Sequence, residues 1–440
     1  MSVHVMSLLP ASRPLTRLTQ AQVDAILKKH EMFRNARLGG ARAVFSFCDM
    51  TGLVLPGRDL AHADLVGVCL RGANLSGTVL DCATMFAADL RQANLEHSSL
   101  VKVDLRGACL RGAILTGANL FDADLRDGSL AETDRTGAFK ILAADQDRPA
   151  EVAGADLSGA NLTNARLSGA MAIHTDFSDA IMTGCKLIRA NLRGANLSGA
   201  TLEHADLSGA DMRGANLRNA VLTGATMTMT ETYGADTTGM LTDRPAGHSL
   251  SDLTAPLAEL LRLHMLFVGS AGAEGKVLDL TGFDMRTGPS LARFCLTTLR
   301  APLSTFYGLD LTGVQLQVAQ LGGADLRTCT ICEGDLRGAD LHEAKLNNAD
   351  LSRARLQPLV IDARRSIHTR LDGATLRYAN FTGANLRGVN FRDADLSHAI
   401  LTDADLKDAD FSGARLYNAR VERRALVVAN LTGALGVRLL

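Results

Sequence analysis

The sequence predicts an all-β solenoid, on three observations. Leu, Met or Phe returns at every fifth position through most of the 440 residues. Ala sits two positions before that centre in most repeats, and Gly often two positions after it. The register holds through long runs and breaks at a few places only. Arg71-Gly72-Ala73-Asn74-Leu75-Ser76-Gly77 shows the unit, and residues 195–210 repeat it without a gap.

A period of five suits neither regular element when it is straight. Five helical steps of about 100° leave successive Leu side chains roughly 140° apart, so no apolar face forms. On a flat strand side chains alternate, and an odd repeat would send Leu to opposite faces in turn. Every Leu stays inside only where the chain bends once per repeat and the bends accumulate into a coil. The Ala two before each centre then shares the inward face. The Asn or Asp before the centre and the Ser, Thr or Arg after it point outward. Gly falls at the bend, where the missing Cβ tolerates turn dihedrals.

This A-[D/N]-L-x-x pattern resembles the pentapeptide-repeat proteins over most of the chain. The resemblance implies a right-handed quadrilateral β-helix with four repeats per coil, the coils stacking at about the 4.8 Å inter-strand spacing. Columns of centres then recur every twenty residues, which places Phe391 on Phe411.

Four stretches keep register: Met50 to Leu130, Leu157 to Met227, Leu280 to Leu356 with a one-residue slip after Met285, and Leu371 to Leu431. Continuing the first frame would bury Arg135 and Lys140, a cost that unpaired charges do not bear, so a loop is expected at 131–154. A second interruption is expected at 357–370, and a loop without repeats at 228–253. Val23, Ile26, Leu27, His30 and Phe33 follow helical spacing, and Thr19 with Gln22 forms a capping-box pattern, so a helix is expected at about 19–34. Leu257, Leu260, Leu261, His264 and Phe267 repeat that spacing 234 positions later, giving a second helix at about 254–268. A Gly-containing linker follows each, at Gly39-Gly40 and at Gly269, Gly272 and Gly275.

The chain therefore reads as a duplicated unit, two rods each preceded by a short capping α-helix. The N-terminal unit spans 1–246 with its β-helix at about 45–230. The C-terminal unit spans 247–440 with its β-helix at about 277–436. An open coil end is an exposed sheet edge, and a helix over it blocks edge-to-edge aggregation.

Lys and Arg number 46 against 47 Asp and Glu, a net charge of −1, so no basic surface points to nucleic acid. No apolar run reaches membrane-span length. The start Met1-Ser2-Val3-His4 lacks a secretory pattern, and eight Cys without framework spacing suit a reducing compartment. A cytoplasmic location is the expectation.

Each candidate site has a structural explanation that outweighs a chemical one. Cys329 and Cys332 spell C-x-x-C, but with Ile331 as centre they face opposite ways and cannot share a metal or a disulfide. Cys48 and Cys185 occupy the inward small-residue slot as compact hydrophobes. His30 and His264 recur at one helix position, which suits packing on a coil with a ring nitrogen bonded to backbone. His62, His97 and His204 fall at bends. Arg58 and Arg424 fall in inward slots near stretch ends, where an outward escape is expected. Ala172 fills a centre normally held by Leu. No catalytic residues, cofactor-binding residues or metal ligands are assigned, and no enzyme activity is expected.

The reading is a non-catalytic structural or protein-interaction scaffold whose partner is another protein. The resemblance also brings in the quinolone-resistance pentapeptide proteins, which mimic duplex DNA and bind DNA gyrase. The near-zero net charge of this chain disfavours that role. The apolar tail Leu435, Val437, Leu439 and Leu440 suggests a homodimer through the C-terminal coil, or a plug folded back on it.

Overall fold

The computed structural model describes residues 15–126, the backbone of 131–133 and 139–141, and residues 150–437. Its five-residue period is realised as stacked coils. Parallel backbone bridges join residues twenty apart, as in Asp49 with Cys69, Cys69 with Asp89 and Asp89 with Cys109. One coil is thus four repeats, each a short extended segment and a two-residue turn. Bonds run both ways along the stack: Leu70 N–H donates to the Asp89 carbonyl in the next coil, and Asn74 N–H to Leu53 in the one before.

Centres such as Leu55, Leu60, Leu65 and Leu75 are buried, together with inward partners Ala63, Val68 and Ala73. Alternating small and large residues lets four inward segments share a narrow axis without overlap. The column expectation is met at Phe391 and Phe411, whose rings stack at 4.8 Å with a 7° interplanar angle. Turn residues two after a centre adopt positive φ, whether Gly (Gly72, 63°) or not (His62, 62°; Cys82, 56°; Lys102, 55°).

The chain divides into two compact units, Met1–Asp243 and Arg244–Leu440, where the sequence placed the division after residue 246. In the first, strand β1 (Thr16–Arg17) pairs in parallel with β2 (Cys48–Asp49) of the first coil. No sequence signal pointed to it, because β1 carries no repeat. Helix α1 (Gln20–Arg34) follows, and Thr19 closes the expected capping box with Gln22. Its Val23 and Leu27 join the coil core.

Two further boundaries in this unit differ from expectation. The loop expected at 131–154 ends sooner: Ala150 and Val152 are buried in register, and Glu151 bridges both Cys109 and Met171. Partners Cys109 and Glu151 are 42 positions apart instead of 20, so the insertion adds 22 residues. Within it, β3 (Ala131–Thr133) pairs antiparallel with β4 (Phe139–Ile141). The coil expected to end near 230 continues, with Glu231, Asp236 and Leu241 bridging Asp211, Asn216 and Val221. Thr232 and Thr237 hold its centres and are exposed, so this coil keeps the backbone course without the apolar filling that announces it. Residues 228–241 are therefore coil rather than loop.

In the second unit, helix α2 spans Leu257–Gly269 with Pro256 at its N-cap. The expected start at 254 fails because a residue before proline is pushed out of the helical region. Bridges Asp279–Arg300 and Asp284–Thr305 span 21 positions before the spacing settles at 20 with Cys295–Gln315, which is the expected one-residue slip. After Leu356 the chain leaves the coil as a hairpin of β5 (Leu359–Val360) and β6 (Ser366–Ile367). Asp340 then bridges Arg370, 30 positions on, so the hairpin inserts ten residues. A short helix, α3 (Arg423–Leu426), interrupts the stretch expected to keep register from Leu371 to Leu431, and the last coil follows it.

Candidate interaction surface

The outward positions form a polar surface with its own bonding rule. Where Asp precedes the centre and Arg follows it, the guanidinium folds back on the carboxylate of its own repeat. Arg91 on Asp89, Arg106 on Asp104, Arg126 on Asp124 and Arg213 on Asp211 all do so through Nε and Nη2. Where Asn precedes the centre, three arginines reach the next coil instead: Arg218 to Asp236, Arg387 to Asp405 and Arg392 to Asp410, each 18 positions on. Asn offers one oxygen, already accepting the backbone N–H two residues later, as Asn390 does for Arg392. Asp has a second oxygen free for the fork. The letter before each centre thus decides whether an arginine can close its own repeat, although Arg213 does so and also lies 3.2 Å from Glu231 in the next coil.

These contacts hold carboxylates in the charged form. The Thr51 hydroxyl and the Arg17 guanidinium pull Asp49 down to about 2. Burial alone would raise Asp89, but Arg91 and Arg71 outweigh it and bring that group also to about 2.

The two helix histidines are fully buried. His30 Nδ1 accepts the Ala43 N–H at 3.1 Å, and His264 Nδ1 accepts the Leu278 N–H at 3.0 Å. Burial lowers both pKa values. They join each helix to the first inward residues of its coil, which is a packing role.

Cys329 is buried and donates to the Phe306 carbonyl, while Cys332 lies outward beside Thr312, so C-x-x-C is split as its register requires. Cys185 is buried, and Cys48 only partly, so its slot is less enclosed than expected. Burial pushes the Cys185 and Cys329 thiols up, away from reactive thiolate. His62, His97 and His204 are exposed at turns. Arg58 points outward, 3.6 Å from Asp24, and Arg424 pairs with Glu422 in α3. Ala172 holds its centre fully buried. Among the described residues no cluster of His, Cys, Asp or Glu is arranged to hold a metal ion, and no helix is long and apolar enough to cross a membrane.

The hairpin at 359–367 departs from this regular surface. Val360 is 71% exposed, Ile361 51% and Ile367 37%, on a face where outward positions are otherwise mostly polar. Sequence reasoning located the interruption but not its form, since these residues carry no repeat.

Coils of twenty residues with inward centres and paired outward ladders define a repeat solenoid. A family model described as pentapeptide repeats matches eight times, at 41–77, 80–117, 88–127, 153–189, 185–224, 319–357, 367–393 and 390–423. These matches cover more than half of the chain, and the protein belongs to the pentapeptide-repeat family, whose fold is the right-handed quadrilateral β-helix. Among solved structures it is similar to the pentapeptide repeat protein Rfr23 from the cyanobacterium Cyanothece 51142, at 32% identity over 30% of this chain and 89% of that one, with a TM-score of 0.25. HetL, a pentapeptide repeat protein involved in heterocyst differentiation regulation from Nostoc sp. strain PCC 7120, aligns at 24% identity over 88% and 95%, with a TM-score of 0.18. QnrB1, a plasmid-mediated fluoroquinolone resistance protein, aligns at 18% identity over 46% and 92%, with a TM-score of 0.27. None of the curated proteins matches.

Proposed function

We propose that this protein is a non-catalytic, cytoplasmic scaffold that binds another protein along its rods. The observation behind this reading is the outward surface itself. Its arginines and aspartates satisfy one another in ladders of fixed spacing, as in Arg91–Asp89 and Arg392–Asp410, giving broad rigid faces rather than a reactive cleft. A DNA-mimicking, gyrase-binding role would need a surface dense in unpaired carboxylates. Here many carboxylates are paired with arginines, and the net charge is −1.

In this reading the two units are copies of one design, each with a helix capping its first coil. Its support is a constant offset: Ala41 N–H donates to Lys29 and Lys276 N–H to Leu263, while the two histidine bonds recur 234 to 235 positions apart. Two copies of the chain associate through the C-terminal coil, where Val427 and Leu435 stand exposed. Affinity capture from the native cell with the full chain tests the scaffold, with one protein recovered in stoichiometric amount as the expected result. Recovery of none, or turnover of a small substrate, would reject it. Sedimentation tests the dimer: a mass of 46.6 kDa at micromolar concentration would reject association.

A further inference from the structure

From the hairpin we infer that residues 359–367 form a docking site for an extended protein segment carrying carboxylates beside aliphatic side chains. This inference rests on the scaffold reading and names the chemistry of its partner. The hairpin is built rigidly. Asp362 Oδ1 accepts the N–H groups of Arg364 and Arg365, both at 2.9 Å, and its Oδ2 lies 2.6 Å from Arg365 Nε. At the base, Thr369 is fully buried: its Oγ1 accepts the Gly338 N–H and donates to the Leu336 carbonyl. His368 Nδ1 lies 2.9 Å from the Gly388 carbonyl in the coil above. Mooring its base to the coils on both sides limits the ordering that binding would have to impose.

Its surface is apolar and basic together. Val360, Ile361 and Ile367 are exposed. A concavity of about 640 Å³ is lined by Ile361, Arg364, Arg365, Ser366 and Ile367. Residues 359–367 hold two arginines against the single Asp362, a local charge of +1 in a chain whose net charge is −1, while Arg370 beyond the hairpin pairs with Asp340 and Asp372. Arg364 has no acidic side-chain partner among the described residues. Apolar contact with carboxylates at the rim is the complement of this surface.

Panning a random peptide library on the full chain tests the site. Enriched peptides should place Asp or Glu beside Leu, Ile or Val. Binding of an enriched peptide should weaken at least tenfold in Val360→Ser/Ile361→Ser and in Arg364→Glu, with melting unchanged. Should the double variant unfold, Arg364→Glu alone serves, since its side chain supports no ion pair. No enrichment, equal binding by folded variants, or a hairpin-dependent interaction confined to phosphatidylserine vesicles would overturn the inference. A cellular partner held equally by wild type and variants would sink the hairpin site and leave the scaffold reading intact.

Discussion

Arg327 folds back on Asp325, with Nε 2.8 Å from Oδ1 and Nη2 2.6 Å from Oδ2, and both side chains are buried. The guanidinium also lies over the Tyr307 ring, 5.6 Å from its centroid. The same two-residue fork recurs at Arg213 and Asp211, where the arginine side chain is 45% exposed. One sequence pattern thus occurs in a dry and a wet setting.

That contrast gives the first prediction. Asp325→Asn leaves a buried guanidinium without its carboxylate and should cost about 3–5 kcal/mol. Asp211→Asn at the exposed fork should cost about 1 kcal/mol or less. Urea unfolding of the two variants is the measurement. Equal losses would show that burial does not govern these pairs.

A second prediction concerns pH. His30 and His264 accept backbone N–H groups at Nδ1, so each is neutral with its proton on Nε2. Asp59, Arg34 and His62 also act on His30, but burial is the largest influence, and both folded pKa values lie below the ordinary 6.5. Below about pH 6.5 the unfolded chain therefore binds more protons than the folded one, and stability falls as pH falls. Asp49 and Asp89, held near 2, act in a separate window: their contribution is present above about pH 4 and is lost as pH drops towards 2. Unfolding midpoints at pH 7.5 and 5.5 should differ in the wild type. His30→Gln/His264→Gln should shrink that difference and leave the acid loss below pH 4 in place.

Third, Gly275 should tolerate no side chain. Its φ is +78°, and an added Cβ would meet the Leu263 carbonyl oxygen at 2.2 Å and the Phe267 nitrogen at 2.5 Å. Gly52 has φ +70° but open space around it. Gly52→Ala should cost about 1–2 kcal/mol from dihedral strain alone, and Gly275→Ala clearly more, because backbone must move. Paired thermal melts measure the difference, and indistinguishable midpoints would refute it.

Fourth, the stacked pair Phe391 and Phe411 separates aromatic contact from core volume. Phe391→Leu restores the usual centre and should cost about 0.5–1.5 kcal/mol for the lost stacking plus a small packing defect. Phe391→Ala should cost about 3–5 kcal/mol by opening a cavity. Denaturant titration orders the three proteins.

Much of this molecule was legible in single letters, and its losses are as instructive. Phe391 and Phe411 could be paired from the repeat and the family before any coordinate, because centres twenty positions apart fall in one core column. Thr232 and Thr237 hid a whole coil, since a backbone ladder persists where its apolar filling has lapsed. Val152 hid the resumption after the long insertion for a similar reason: a smaller centre beside Glu151 weakens the signal. The Asp-or-Asn choice behind the arginine forks was printed in the sequence, but its meaning needed the next coil in view.

The sequence by itself determined the coil: an odd spacing of aliphatic residues leaves the chain no other way to keep them dry, and His30 and His264 marked the two helices beside it. The tertiary structure decided what happens off the period. It set β1 beneath the first coil, drew Thr369 inward, and left Val360 and Ile361 in solvent. Those outcomes depend on contacts between residues tens of positions apart, and a local pattern carries no record of them.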